Sequence, residues 1–149
     1  MSNSNNATNQ IGLEKADMSE VIAKLNNLLS TYHVFYLNVR GYHWNVKGPF
    51  FFILHEKFEE LYNDASLKID EVAERILTLA HTPEHNYSVY TKVSKIKEST
   101  EVSNGIKAVE NILESFKTII VLQRELLDLS DEANDEGTNA LMSDYIREQ

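Results

Sequence analysis

A chain of 149 residues with 42% hydrophobic content fits one domain around one core and leaves no room for a second. It contains no cysteine, which excludes disulfides and thiolate metal sites, so any metal must be held by histidine, carboxylate or backbone oxygen. The formal net charge of −9 repels phosphate backbones and attracts cations.

Residues 1–17, MSNSNNATNQIGLEKAD, are polar, lack the apolar run of a signal peptide, and are expected to form a flexible tail. The domain proper is expected over 18–149. Its longest apolar run, PFFFIL, is too short to span a bilayer, so a soluble, cytoplasmic protein is expected. Met18, Ile22, Leu25, Leu29, Tyr32, Tyr36, Val39, His43 and Val46 recur in steps of three and four, which predicts one long helix with His43 on its packed seam. The KGP at 47–49 ends it, and Pro49 suits the opening of a second helix running to about Ala80. The stretch 81–100 is less periodic and contains the other proline, so it predicts a connection with one short helix. A third helix is expected over Val102–Leu129, with Ile106, Val109, Ile112, Phe116, Ile119, Ile120, Leu122 and Leu126 on its packed side. SDEANDEG is a turn-rich acidic link to a fourth helix, which reaches Gln149 without a stop signal and is expected to continue in a longer chain. Four long helices joined this way predict an all-α four-helix bundle with a short extra helix in the long connection.

The second helix carries the chemistry. With ~100° per residue and His55 at zero, Glu59 falls at about 40°, Asp70 at about 60° and Glu74 at about 100°. All four border the stripe of Phe51, Phe58, Tyr62, Ile69 and Ile76, where unpaired carboxylates are costly and a cation is the usual remedy. Glu59 and Asp70 are roughly 16 Å apart along the axis, so one metal cannot reach both. The residue numbers of His55 and Glu74 add to the same total as those of Glu59 and Asp70. Two copies of the helix, antiparallel about a two-fold axis between Asp64 and Ala65, therefore bring His55 against Glu74 and Glu59 against Asp70 of the other copy. His43, at the end of the neighbouring helix, supplies a second nitrogen. Such a set suits iron, manganese or zinc.

Simpler readings stand beside this one. An acid pair at i, i+4 is ordinarily solvated surface, and Glu71 is placed to pair with Arg75. HEKFE starts like the HExxH of zinc proteases, but Phe58 stands where the second histidine must be. His81 and His85 flank Pro83 and read as exposed loop histidines, and His33 reads as facing solvent.

The segment His43 to Arg75, HWNVKGPFFFILHEKFEELYNDASLKIDEVAER, resembles the signature of the Dps mini-ferritins, and the helical plan of 18–149 is similar to the same family. The resemblance implies a homo-oligomer, a hollow dodecamer, with a ferroxidase centre across each two-fold interface. There His43, His55 and Glu59 of one subunit meet Asp70 and Glu74 of the next; the family often has aspartate at the position of Glu59. It implies oxidation of Fe2+, preferably by hydrogen peroxide, and storage of ferric mineral, which protects against oxidative stress. Trp44, with Tyr42 and Tyr62 nearby, is a candidate radical scavenger or simply aromatic core. Glu132 and Glu136 match acidic pore positions of the family, while Ala140 departs from them and Asp144 is a substitute one turn on. The alternative is a DNA-binding, nucleoid-protecting protein with a secondary metal site. Against it, residues 1–17 contain one lysine and no arginine, and a dodecamer would carry twelve times the −9 of one chain.

Overall fold

The computed structural model describes residues 7–149, and among them it shows five helices and no named strand: α1 Lys15–Asn45, α2 Phe51–Thr78, α3 Tyr87–Val93, α4 Gly105–Glu132 and α5 Glu136–Glu148. The four long helices form the bundle, and α3 lies in the long connection. α1 and α2 are joined by the short loop 46–50. Lys47 donates its N–H to the Ser103 carbonyl at 2.9 Å, which places the start of α4 beside the start of α2. The connection 79–104 therefore runs back along the whole bundle, and α4 is parallel to α2.

Polar residues of α1 strap that connection down. Asn26 Oδ1 accepts the Glu84 N–H, Thr31 Oγ1 accepts the Lys95 N–H, and Asn38 both accepts from Ser99 N and donates to the Lys97 carbonyl. An irregular backbone lying on a helix must satisfy its polar groups somewhere, and α1 supplies the partners. The core between the helices contains the α1 seam together with Phe58, Val72 and Ile76 of α2, Ile112, Ile119 and Leu126 of α4, and Met142 and Tyr145 of α5.

α5 is only 13 residues long and is locked by polar contacts as well as apolar ones. Tyr32 donates to Gln149 Oε1 and accepts from Gln123 Nε2, and Gln149 Nε2 donates to Gln123 Oε1, each at 2.7 Å, closing a ring of three bonds in the interior. Burial pushes the Tyr32 phenol well up from its ordinary value. Lys68, buried on α2, holds Asp64 and Glu148 at 2.8 and 2.7 Å. At the other end Arg75 donates to Asp135 Oδ1 at 2.6 Å and to Thr138 Oγ1 at 2.9 Å, while Asp135 caps α5 by accepting the Thr138 N–H. A Cβ on Gly137 would lie 2.5 Å from the guanidinium, so the glycine is what lets Arg75 reach the cap.

Several expectations change. Arg75 pairs with Asp135 rather than Glu71, because the side chain turns toward the α5 N-terminus. α4 begins and ends three residues later than expected, so Ser130, Asp131 and Glu132 are helical and only 133–135 form the link. Ile106 is 67% exposed and Val109 is also exposed; the packed side of α4 follows Ala108, Ile112, Ile119 and Leu126, and Ile106 and Val109 fall on the side of the helix turned away from it. His33 is half-buried and stacks on Tyr90 at 4.1 Å, and desolvation lowers its pKa. Of the segment expected as a tail, residues 1–6 lie outside the described residues, whereas 15–17 already belong to α1. Asn9 accepts the N–H groups of Ile11 and Leu13, and Lys15 N–H bonds the Ala7 carbonyl, so 7–14 make specific contacts ahead of α1.

α2 and α4 end alike. In each the chain turns through a left-handed residue, Ala80 at φ 66° and Asn134 at φ 58°, and a later N–H closes back on the helix, His81 to Ile76 and Asp135 to Ser130. Asparagine tolerates that conformation; alanine is strained there. Ala80→Gly is expected to stabilise the fold by about 0.5–1 kcal/mol, read as a higher midpoint in chemical or thermal unfolding. An unchanged or lower midpoint would mean that the left-handed turn carries no strain.

Candidate metal centre

The centre starts from two carbonyls at a helix junction. His43 sits in the last turn of α1, where main-chain carbonyls lack helical partners, and His55 lies in the first turns of α2. His55 Nδ1 lies 2.7 Å from the His43 carbonyl, and His43 Nδ1 lies 2.6 Å from the His55 carbonyl. A carbonyl only accepts, so both Nδ1 atoms carry the proton and each neutral ring keeps its lone pair on Nε2. The rings are stacked, centroids 3.7 Å apart and 15° from parallel. Phe51 backs His55 at 5.0 Å, and Tyr62 meets His43 edge-on at 5.2 Å. His43 is 7% exposed. Two nitrogen donors of set tautomer, restrained by main-chain carbonyls and aromatic walls, are what a metal-binding histidine pair requires.

The carboxylates lie elsewhere on the same helix. Glu59 is exposed one turn beyond His55, and Asp70 and Glu74 are exposed in the second half of α2. Among the described residues no three His, Asp or Glu side chains converge on a point that could hold a metal. One chain thus brings His43 and His55 together and leaves Asp70 and Glu74 apart from them.

The outward face of α2 has a pattern of its own. Phe52 is 82% and Leu77 58% exposed, and Glu59, Asn63, Ser66 and Asp70 are exposed between them. These six fall within about 60° on the helical wheel. The register that pairs Glu59 with Asp70 also pairs Phe52 with Leu77 and Asn63 with Ser66. The face is therefore complementary to itself when reversed: apolar ends, a polar middle, acids between.

Of the other candidates, Trp44 is exposed beside His43, Tyr42 is buried, and Tyr62 is half-buried against the histidines. Glu132 ends α4 and Glu136 begins α5, both exposed; Asp144 is exposed and 3.3 Å from Arg147 Nη2. Glu132 shares a recess with Asp17 and Glu20 of α1. His81 and His85 are exposed, each with Nδ1 against a local carbonyl. The sequence reading passed over Arg40, which stands over the rings of Tyr36, Trp44 and Tyr62; the i−4, i+4 spacing of Tyr36, Arg40 and Trp44 was the signal. No helix among the described residues is long and apolar enough to cross a membrane.

The ferritin-like domain model matches residues 22–149. The DNA protection during starvation protein of Porphyromonas gingivalis is 39% identical over 93% of this chain and 87% of its own length. The Dps protein of Vibrio cholerae O1, described as a member of a broad superfamily of ferritin-like diiron-carboxylate proteins, superposes with a TM-score of 0.94 at 52% identity, covering 99% of this chain and 92% of that one. The Dps protein of Bacillus brevis superposes with a TM-score of 0.86 at 33% identity, covering 89% of each chain. An all-helical bundle of this order, with its histidine pair at the α1–α2 junction and carboxylates along α2, belongs to the Dps mini-ferritins, the iron-storage proteins of the ferritin-like family.

Proposed function

We propose that the protein is a cytoplasmic ferroxidase that oxidises Fe2+, with hydrogen peroxide as the preferred oxidant, at sites shared between two copies, and stores the ferric product, protecting its cell from oxidative stress. The carrying observation is the reciprocal bonding of His43 and His55, which leaves two Nε2 donors free while the chain's own acids lie too far along α2 to join all of them at one ion. A second copy, antiparallel on α2, supplies what is missing: Asp70 and Glu74 of the partner opposite Glu59 and His55. Phe52 against Leu77 and Asn63 against Ser66 support the same register independently of the ligands.

Nitrogen from two histidines and oxygen from three carboxylates suits iron as substrate, with zinc or manganese able to take the same place. Carboxylate oxygens favour Fe3+ over Fe2+ and so assist loss of the electron. Two ferrous ions and one peroxide, with two protons, give two ferric ions and two waters, and hydrolysis of the ferric ions to mineral releases protons again. No free hydroxyl radical is formed on that route. Copies assemble further on this reading into a dodecamer, whose acidic entry pores contain Glu132, Glu136 and Asp144. DNA binding is weak, because the chain has a net charge of −9 and only Lys15 is basic within residues 1–17.

Three measurements test the proposal. A variant lacking His43, His55 and Glu59 and another lacking Asp70 and Glu74 are each expected to lose fast Fe2+ oxidation by peroxide. Unfolded and reassembled together, they are expected to recover roughly a quarter of native sites, because half the dimers are mixed and each restores one site. Verified mixed dimers without activity would refute the shared site.

Phe52→Glu and Leu77→Lys are each expected to weaken dimerisation at least tenfold, since each puts a charge where the proposed dimer would cover an exposed apolar side chain, a burial worth about 1.5–3 kcal/mol. Both changes in one chain are expected to recover association, because each charge then meets its opposite. Sedimentation of the three variants reads the result, and single variants that dimerise normally would remove this register.

Glu132→Gln with Glu136→Gln is expected to slow iron uptake at low ionic strength, and the defect is expected to shrink as salt screens the attraction. Stopped-flow uptake at two salt concentrations decides it; a defect indifferent to salt takes these acids out of the entry route.

A further inference from the structure

Arg40 is held by rings rather than by acids. Its guanidinium carbon lies 4.8 Å from the Trp44 ring centroid, 5.2 Å from that of Tyr62 and 5.5 Å from that of Tyr36. Nη1 donates to Tyr36 Oη at 2.9 Å, and Nε is buried without a partner. Among the described residues no carboxylate forms an ion pair with it. Tyr62 stands edge-on to both His43, at 5.2 Å, and Tyr36, at 6.0 Å. The cation therefore belongs to the aromatic shell around the histidine pair, and its field falls on the rings nearest that pair. Trp44, the chain's single tryptophan, forms the outer edge of this shell and is 57% exposed.

We propose that Arg40 raises the threshold at which Trp44 gives up an electron, so that Trp44 is oxidised less readily than it would be without the charge beside it. Arg40 touches no iron; it is a positioning residue that acts through the ring beside it. When Trp44 is oxidised, one electron leaves the indole for a hydroxyl radical, which becomes hydroxide. The indole radical cation then releases its Nε1 proton, and hydroxide and proton make water. The radical cation forms beside a permanent positive charge, which repels it, whereas the neutral ring attracts the same charge through its π face. Both effects oppose oxidation. At 4.8 Å the repulsion alone, screened as in bulk water, shifts the equilibrium roughly fourfold, and more where the protein excludes solvent. Fe2+ held by carboxylates gives up its electron more easily, so iron is consumed first and the protein is spared.

The role beside iron rests on the ferroxidase reading; the effect of the charge on the ring does not, and the test separates the two. Without iron, a flash-generated tris(bipyridine)ruthenium(III) oxidant is applied to the assembled wild type, Arg40→Met, Arg40→Gln and Arg40→Lys. Indole-radical absorbance and loss of tryptophan fluorescence report Trp44 alone. The two neutral variants are expected to be oxidised about two- to tenfold faster, and Arg40→Lys, which keeps the charge, at close to the wild-type rate. Equal rates in wild type and both neutral variants would overturn the assignment, as would a lysine variant as fast as the neutral ones. In a second arm the same proteins receive Fe2+ and then hydrogen peroxide, and the neutral variants are expected to lose more Trp44 fluorescence per peroxide consumed. Faster flash oxidation in the neutral variants, with no iron oxidation by any of the four proteins, would uphold Arg40 and discard the ferroxidase reading.

Discussion

Two histidine rings stack at the α1–α2 junction because each gives its Nδ1 proton to the main-chain carbonyl of the other. The paired bonds place the end of one helix against the start of the next, satisfy a carbonyl that the last turn of α1 leaves without a helical partner, and set both tautomers. Much of the surrounding structure serves that geometry. The loop 46–50 must be short enough to bring His55 back onto His43, and Val46, buried, anchors it. Phe51 and Tyr62 wall the rings, and Arg40 in turn packs on Tyr62.

The second constraint is the length of α2. A helix of 28 residues separates Glu59 from Asp70 by more than any one ion can bridge, so the ligands proposed at its two halves act together only when another helix runs the opposite way. A helix with an outward face that reads alike in both directions is the simplest means to that end. Its inward side is held by packing, where Phe58, Ala65, Val72 and Ile76 fill the core and Lys68 and Arg75 reach across to α5. The clasp of Arg75 with Asp135 and Thr138 also orients the α4–α5 corner, where Glu132 and Glu136 stand on either side of a three-residue turn. One polar network thus links the carboxylate half of α2 to the acids proposed for iron entry.

Buried polar groups are unusually consequential here. The ring of Tyr32, Gln123 and Gln149 closes on itself, so every strong donor and acceptor in it has a partner, and loss of any member strands the other two. The unpartnered Nε of Arg40 is the contrasting case: a cation whose nearest company is aromatic leaves its charge to act on those rings.

The helices were legible because a step of three or four needs only the local chain. The α1 seam from Met18 to Val46 and the α2 stripe through Phe58 and Ile76 follow from periodicity, and the two-fold register proposed for His55, Glu59, Asp70 and Glu74 rests on their spacing alone. The same arithmetic applied to Phe52 and Leu77, but their exposure did not, since a wheel cannot say which apolar residues the bundle leaves uncovered. Tertiary structure decided the rest. Ile106 and Val109 are apolar yet fall on the side of α4 turned away from the core that takes in Ala108, His33 finds Tyr90 from a distant segment, and Arg75 chooses Asp135 over a neighbour one turn away. The stacking of His43 on His55 belongs to the same class: spacing placed both near a helix junction, but only packing, which brings each ring within reach of the other's carbonyl, determines which nitrogen keeps the proton and which remains free for a metal.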